Sequence, residues 1–132
     1  MGHYFMSRFE FAPHFSEEEF RCNCGCEILN VSRVFLERLE RARIRAEIPF
    51  KVQSGCRCEQ HNKDEDGEED SAHLTSETKE CHASDIGARG SRPRYIILDA
   101  LISVGFTRIG IANSFVHVDD DSRKDPRVAW LY

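Results

Sequence analysis

Two short stretches carry most of the histidine and carboxylate chemistry of this chain, and any fold has to bring them together before that chemistry can be used. The first, Ser71 to Ile86, reads SAHLTSETKECHASDI and offers His73, His82 and Asp85. The second, Ser114 to Asp119, reads SFVHVD and offers His117 and Asp119. His117 and Asp119 are alternate residues of a strand-like segment, so their side chains face the same side. Two histidines and an aspartate match the donor set of a catalytic zinc centre, where three protein ligands leave a fourth position to water. With His117 on such a metal, Asp119 can orient the ligand or take a proton from water. Spacing alone does not single out this triple, because a chain with six histidines offers others.

The scaffold reads as α+β, a small antiparallel sheet with flanking helices in a single domain. Residues 1–13 show little periodicity and read as an extended arm, with the domain proper over 14–132. His14 to Phe20 predicts a short helix capped by Ser16, with Glu19 completing a capping box and Phe15 and Phe20 turned inward. Cys22 to Asn30 reads as a tight turn around Gly25. Ser32 caps a longer helix to about Ala46, where Phe35, Leu39, Ala42 and Ala46 form one apolar stripe. Arg38, Glu37, Arg41 and Glu40 are assigned to its wet side. Phe50 to Ser54 alternates as a strand. Gly55 to Ala72 reads as a long polar loop, and Ala83 to Ala88 as a short strand. A second helix opens near Ser91 and is stopped by Gly105. Thr107 to Ala112 and Phe115 to Asp119 predict a hairpin, and Val128 to Tyr132 a final strand. No βαβ rhythm and no internal repeat is present.

Length and charge narrow the function. The chain has 132 residues, enough to bury a core without disulfides. A net charge of -5 argues against nucleic acid as a partner. No apolar run approaches the ~20 residues of a membrane helix, and no basic, apolar leader is present. These features predict synthesis in the cytoplasm and no membrane insertion. The acids of 64–70 read as a solvated loop or a surface that gathers cations. Six cysteines are many. Without a secretory signal, reduced thiols or metal binding come before disulfides. Cys-x-Cys spacing is unusual for structural zinc, so CNCGC and the pair flanking Arg57 read as free thiols or a local pairing, with a second zinc site the minor alternative.

Several motifs occur in order: Ser54-Gly55-Cys56-Arg57, His61-Asn62, Ser71-Ala72-His73, Ala83-Ser84-Asp85-Ile86 and Phe115-Val116-His117-Val118-Asp119. Together they resemble the zinc D-Ala-D-Ala carboxypeptidase family in its small single-domain form, common in phage lysis and tail proteins. That family shares its fold with lysostaphin-type peptidases and the hedgehog signalling domain. The resemblance covers nearly the whole chain. It implies His73, Asp85 and His117 as ligands of Zn2+, Arg57 as the group that contacts the substrate carbonyl or carboxylate, and Ser71 as support for the first ligand's loop and a substrate contact. It further implies a monomer that hydrolyses peptide bonds of the peptidoglycan stem as a D,D-carboxypeptidase or endolysin-like endopeptidase, acting at the bacterial cell wall.

This chain departs from the family pattern in three places. Ser76 to Glu80 lengthens the interval between His73 and Asp85, the usual glycine falls at Cys81, and His82 or Cys81 therefore competes for the metal. Ser114 stands where many relatives carry an acid, which leaves Asp119 as substitute general base or as a partner of His117. The cysteines are in surplus. These departures keep open a non-catalytic zinc-binding module of the same fold, and a cysteine-rich module that binds a partner through CNCGC.

Overall fold

The computed structural model describes residues 8–132. The arm expected over 1–13 lies outside the described residues up to position 7. From there the chain is not extended: Arg8–Phe11 forms a 3-10 turn. This turn packs on the long helix and buries Phe9 and Ala12 in the core. Helix α1 (Glu17–Phe20) has the expected capping box between Ser16 and Glu19. Helix α2 (Arg33–Ala46) is capped by Ser32 and ends on Glu47 in the left-handed region, at φ 57°. Its buried stripe is Phe35, Leu39, Ala42 and Ala46, widened by Leu36.

Glu40, assigned to the wet side of α2, is buried. The 3-10 turn and the segment after it lie over that flank of the helix. There Glu40 accepts from the His14 backbone N–H at 2.9 Å and pairs with the His14 ring. A buried carboxylate needs such partners.

Strand β1 (Val52–Ser54) follows. The segment read as one long polar loop contains a helix, α3 (Glu59–Asp64), whose N-cap is Cys58. Its apolar content is too low for a periodic signal, and thiol capping is not a usual start signal. Strand β2 (Ala83–Gly87), helix α4 (Ser91–Ser103), and strands β3 (Arg108–Ile111), β4 (Phe115–Asp119) and β5 (Val128–Leu131) complete the chain.

The five strands form one sheet in the order β1-β2-β4-β3-β5. All neighbours are antiparallel except β5, which joins β3 in parallel. The sheet is therefore mixed, its last strand placed by the crossover 120–127, which passes the start of β3 at Arg108. Arg108 anchors that crossover by donating from Nη1 to the Asp125 carbonyl at 2.6 Å. Ile86, Val116, Val118 and Ile109 line one face and join α2 and α4 in the core. The alternate residues Asp85, His117, Asp119 and Arg108 line the other.

Cys56 and Cys81 are joined as a disulfide, both buried in that core. This differs from the thiol reading. Hydrogen bonds from Cys56 N to the Phe20 carbonyl, and from Cys81 N to the Asn30 carbonyl, draw both segments into the same apolar layer.

Gly55 sits where the chain passes over α1. A Cβ there would lie 2.7 Å from the Phe20 Cα and 2.8 Å from its Cδ1. Phe20 is fully buried and cannot swing away. Gly55→Ala is therefore expected to destabilise the fold by about 1–3 kcal/mol as an overpacked contact, read as a lower urea midpoint with an unchanged slope.

Candidate metal centre and its cleft

The site is assembled from the sheet and one loop. Asp85 on β2 and His117 on β4 are directly paired residues of the antiparallel ladder, so their side chains stand side by side. The pairing continues across the sheet through Ser54, Asp85, His117, Gly110 and Trp130, one residue from each strand. Gly110 leaves room in that row, since a Cβ there would lie 2.6 Å from the Trp130 Nε1. The indole consequently tilts against the His117 ring, with centroids 5.5 Å apart.

His73 arrives from the loop beside this row. Its backbone N–H donates to Ser71 Oγ at 3.1 Å. Its carbonyl accepts from Arg57 N at 2.8 Å, and the Arg57 carbonyl in turn accepts from Thr75 N at 2.8 Å. This short parallel bridge places Arg57 next to His73 although they are distant in sequence.

Three donor atoms meet at the resulting point. His73 Nε2 is 3.1 Å from Asp85 Oδ1 and 3.3 Å from His117 Nδ1, and His117 Nδ1 is 2.9 Å from Asp85 Oδ1. The other ring nitrogens are committed outward. His73 Nδ1 donates to the Gly55 carbonyl at 2.6 Å, and His117 Nε2 donates to Asp119 Oδ2 at 2.7 Å. In the neutral tautomers so fixed, His73 Nε2 and His117 Nδ1 both present lone pairs, and Asp85 presents a third. Three lone pairs facing one point call for a cation. These residues form a group able to hold a metal ion.

The ionisation of the group follows the same logic. Burial lowers the pKa of His73. Burial also opposes charge on His117, but hydrogen bonds to Asp119 and Asp85 outweigh it and raise the pKa. Burial would raise Asp85 as well, yet the hydrogen bonds of the two imidazoles hold its carboxyl well below the usual range. Without a cation, a proton on His117 fills the place between the rings and the carboxylate. Metal and proton therefore compete for the same lone pair.

Asp119 lies behind His117, 2 % exposed. Its Oδ2 takes the His117 Nε2 proton. Its Oδ1 accepts from Arg108 Nε at 2.7 Å and from Asp121 N at 3.1 Å. Both oxygens are thus engaged away from the point where the three donors converge. This is the carboxylate–histidine arrangement that fixes a ligand's tautomer and orientation.

A cavity of about 550 Å³ opens over the group. Arg57 lines it, and its Nε is buried without a hydrogen-bond partner among the described residues. Ser71 is on the same wall. His82 and Cys81, the competing donors, are elsewhere. His82 pairs with Asp120 at 2.8 Å, which raises its pKa against the effect of burial, and Cys81 is in the disulfide.

Sequence reasoning missed Arg108, Phe115, Trp130 and Tyr132 as cleft residues. Trp130 on β5 and Tyr132 just past its end are alternate residues, a signal for one shared face, but only the register of β5 on β3, with Trp130 opposite Gly110, turns that face to the cleft. The acidic loop, read as solvated or cation-gathering, contributes Glu65, Asp66 and Glu68 to the cavity wall.

A sheet-borne pair of donors, a loop-borne histidine and an arginine in one cleft are the layout of a metallopeptidase. The family model for Peptidase M15 matches residues 13–119, which spans every one of these groups, and the chain belongs to that family, the zinc D-Ala-D-Ala carboxypeptidase type. The comparison with curated proteins returns no match.

Asp119→Asn retains the size of the side chain but loses the charge that holds the His117 proton. It is expected to weaken zinc binding roughly 10–100-fold, measured by competition with a chromophoric chelator. In the unsubstituted chain, apparent zinc affinity should fall as the pH drops through the raised pKa of His117, and binding should release protons.

Proposed function

We propose that this chain is a zinc peptidase that hydrolyses a peptide bond in the stem peptide of peptidoglycan, with His73, Asp85 and His117 holding the metal. The observation that carries this reading is the convergence of three lone pairs beside an arginine with an unpartnered buried Nε, in one cavity. Zinc held by these three residues would supply Lewis acidity toward water and a carbonyl oxygen.

The remaining roles belong to side chains of the chain itself. Arg57 presents a permanently charged, planar fork to the substrate's carbonyl oxygen or terminal carboxylate. Ser71 holds the His73 backbone and faces the cavity, where it is placed to touch substrate. Asp119 fixes the orientation of His117, and Arg108 fixes Asp119. Because both oxygens of Asp119 are engaged, the proton released by water needs a different acceptor. We assign it to the acidic segment, whose Glu65 and Glu68 lie on the cavity wall. Trp130 and Tyr132 offer an aromatic wall for the apolar side of a peptide. Action at the bacterial cell wall, by a monomer, is part of this proposal, because the proposed substrate lies there.

A second reading, a metal-bearing binding module without turnover, is favoured by one observation: Ser114 and the engaged Asp119 leave no carboxylate of the sheet free to act as base. Stem peptides ending in D-Ala-D-Ala, and cross-linked dimers of them, separate the two readings when product masses are followed. The peptidase reading expects release of D-Ala or cleavage of the cross-link, with no turnover in His73→Ala, Asp85→Ala or His117→Ala. Arg57→Ala should lower kcat/KM by roughly 10²–10³, and Glu65→Gln or Glu68→Gln should lower kcat with zinc retained. Full zinc occupancy without cleavage of either substrate would leave the binding module as the better description.

A further inference from the structure

Four cysteines that line no part of the cleft gather together, one of them, Cys58, next to Arg57 in the chain. Cys22, Cys24, Cys26 and Cys58 place their sulfurs within 4.8 Å of one another. Cys22 Sγ is 3.5 Å from Cys24 Sγ, and Cys24 Sγ is 3.4 Å from Cys58 Sγ. None of the four is in a disulfide. In a tetrahedral zinc tetrathiolate with bonds of ~2.3 Å, neighbouring sulfurs stand about 3.8 Å apart. The cluster is close to that spacing before any ion draws it in.

The backbone is shaped for this cluster. Cys-x-Cys spacing alone would leave Cys22, Cys24 and Cys26 along one side of an extended segment. Instead the chain folds back, with Cys22 N donating to the Ile28 carbonyl at 3.0 Å. Gly25 at φ 100° and Glu27 at φ 57° make the turn possible. A Cβ on Gly25 would meet no atom, so this glycine answers a conformational demand and not a steric one. Backbone N–H groups then point at three of the sulfurs: Cys58 N at Cys22 Sγ (3.4 Å), Ile28 N at Cys26 Sγ (3.5 Å) and His61 N at Cys58 Sγ (3.4 Å). Such N–H groups favour thiolate over thiol and are the usual outer partners of metal-bound sulfur. His61 Nδ1, 3.2 Å from Cys22 Sγ, adds a further polar partner.

We propose that Cys22, Cys24, Cys26 and Cys58 bind a second zinc ion in a closed, structural tetrathiolate site. Four protein ligands leave no position for water or substrate, so the site holds the chain and does no chemistry on a ligand. Soft thiolates select zinc over magnesium or calcium. Each thiol that coordinates gives up its proton to solvent, so loading releases up to as many protons as there are thiols. The site ties the turn after α1 to the start of α3. Arg57 lies between Cys58 of this site and Cys56 of the disulfide, so both of its neighbours are anchored. The proposal depends on none of the roles assigned to His73, Asp85 and His117.

Cobalt substitution of the full chain tests it, because only thiolate ligands give an intense sulfur-to-cobalt charge-transfer band in the near ultraviolet. The chain, purified under mild reduction and stripped of metal, is titrated with Co2+ alone. One equivalent carrying that band is expected in the wild type and equally in His117→Ala, where the other site is disabled. The band should disappear in Cys24→Ser/Cys58→Ser. Wild type and His117→Ala decide the matter without requiring the cysteine variant to fold. Cobalt uptake without the band in those two chains would overturn the proposal. So would an intact mass showing the four cysteines joined as disulfides after purification under the same conditions.

Discussion

The antiparallel pairing of β2 with β4 sets Asp85 directly opposite His117, and the geometry of the cleft follows from that register. A slip of β2 by one residue would turn Asp85 into the apolar layer and bring Ile86 out, leaving His117 without its partner. The buried face guards against the slip, because Ile86, Val116 and Val118 are fully enclosed against the helices. The hydrophobic effect on one face of the sheet thereby positions polar donors on the other. The same row extends to Trp130 at the far edge, so the aromatic wall and the donors share one frame.

His73 cannot be placed by the sheet, since it lies in a loop. It is fixed by backbone contacts instead: its ring donates to the Gly55 carbonyl, and its own carbonyl accepts from Arg57. Gly55 in turn is pressed against Phe20 of α1. One chain of contacts therefore runs from the first helix, through a glycine, to an imidazole and a guanidinium. The outward nitrogens of both histidines are engaged by acceptors, which leaves the inward ones no choice but to present lone pairs. The electrostatic character of the centre is set by hydrogen bonds made outside it.

Much of the frame was legible in the sequence because its signals are local. The capping box at Ser16 and Glu19, the apolar stripe of α2 and the turn between β3 and β4 each follow from a few neighbouring residues. The convergence of His73, Asp85 and His117 was legible only through ordered motifs, since nothing in their spacing states which strands pair. Features set by distant contacts were not legible. Glu40 is buried because an N-terminal turn lies over it, α3 starts on a cysteine cap, and β5 runs parallel because of its crossover. The cysteines were the hardest to read. Which of them pair and which cluster depends on the turn at Gly25 and on the path of Cys81 into the core.

The excursion between His73 and Asp85 has a further meaning for how such a chain can change. It is clamped at its ends, where Leu74 bridges Arg57 and His82 N donates to the Ala72 carbonyl. Between the clamps it closes on itself, Ser76 N donating to the Lys79 carbonyl at 3.0 Å. The number of residues inside that closed turn is therefore decoupled from the positions of the donors. A change in length here is expected to leave in place both the His73 loop before it and strand β2 after it. For the same reason Glu77 and Thr78, at the tip, form a port where an affinity tag or a fluorophore can be spliced in while the cleft keeps its shape.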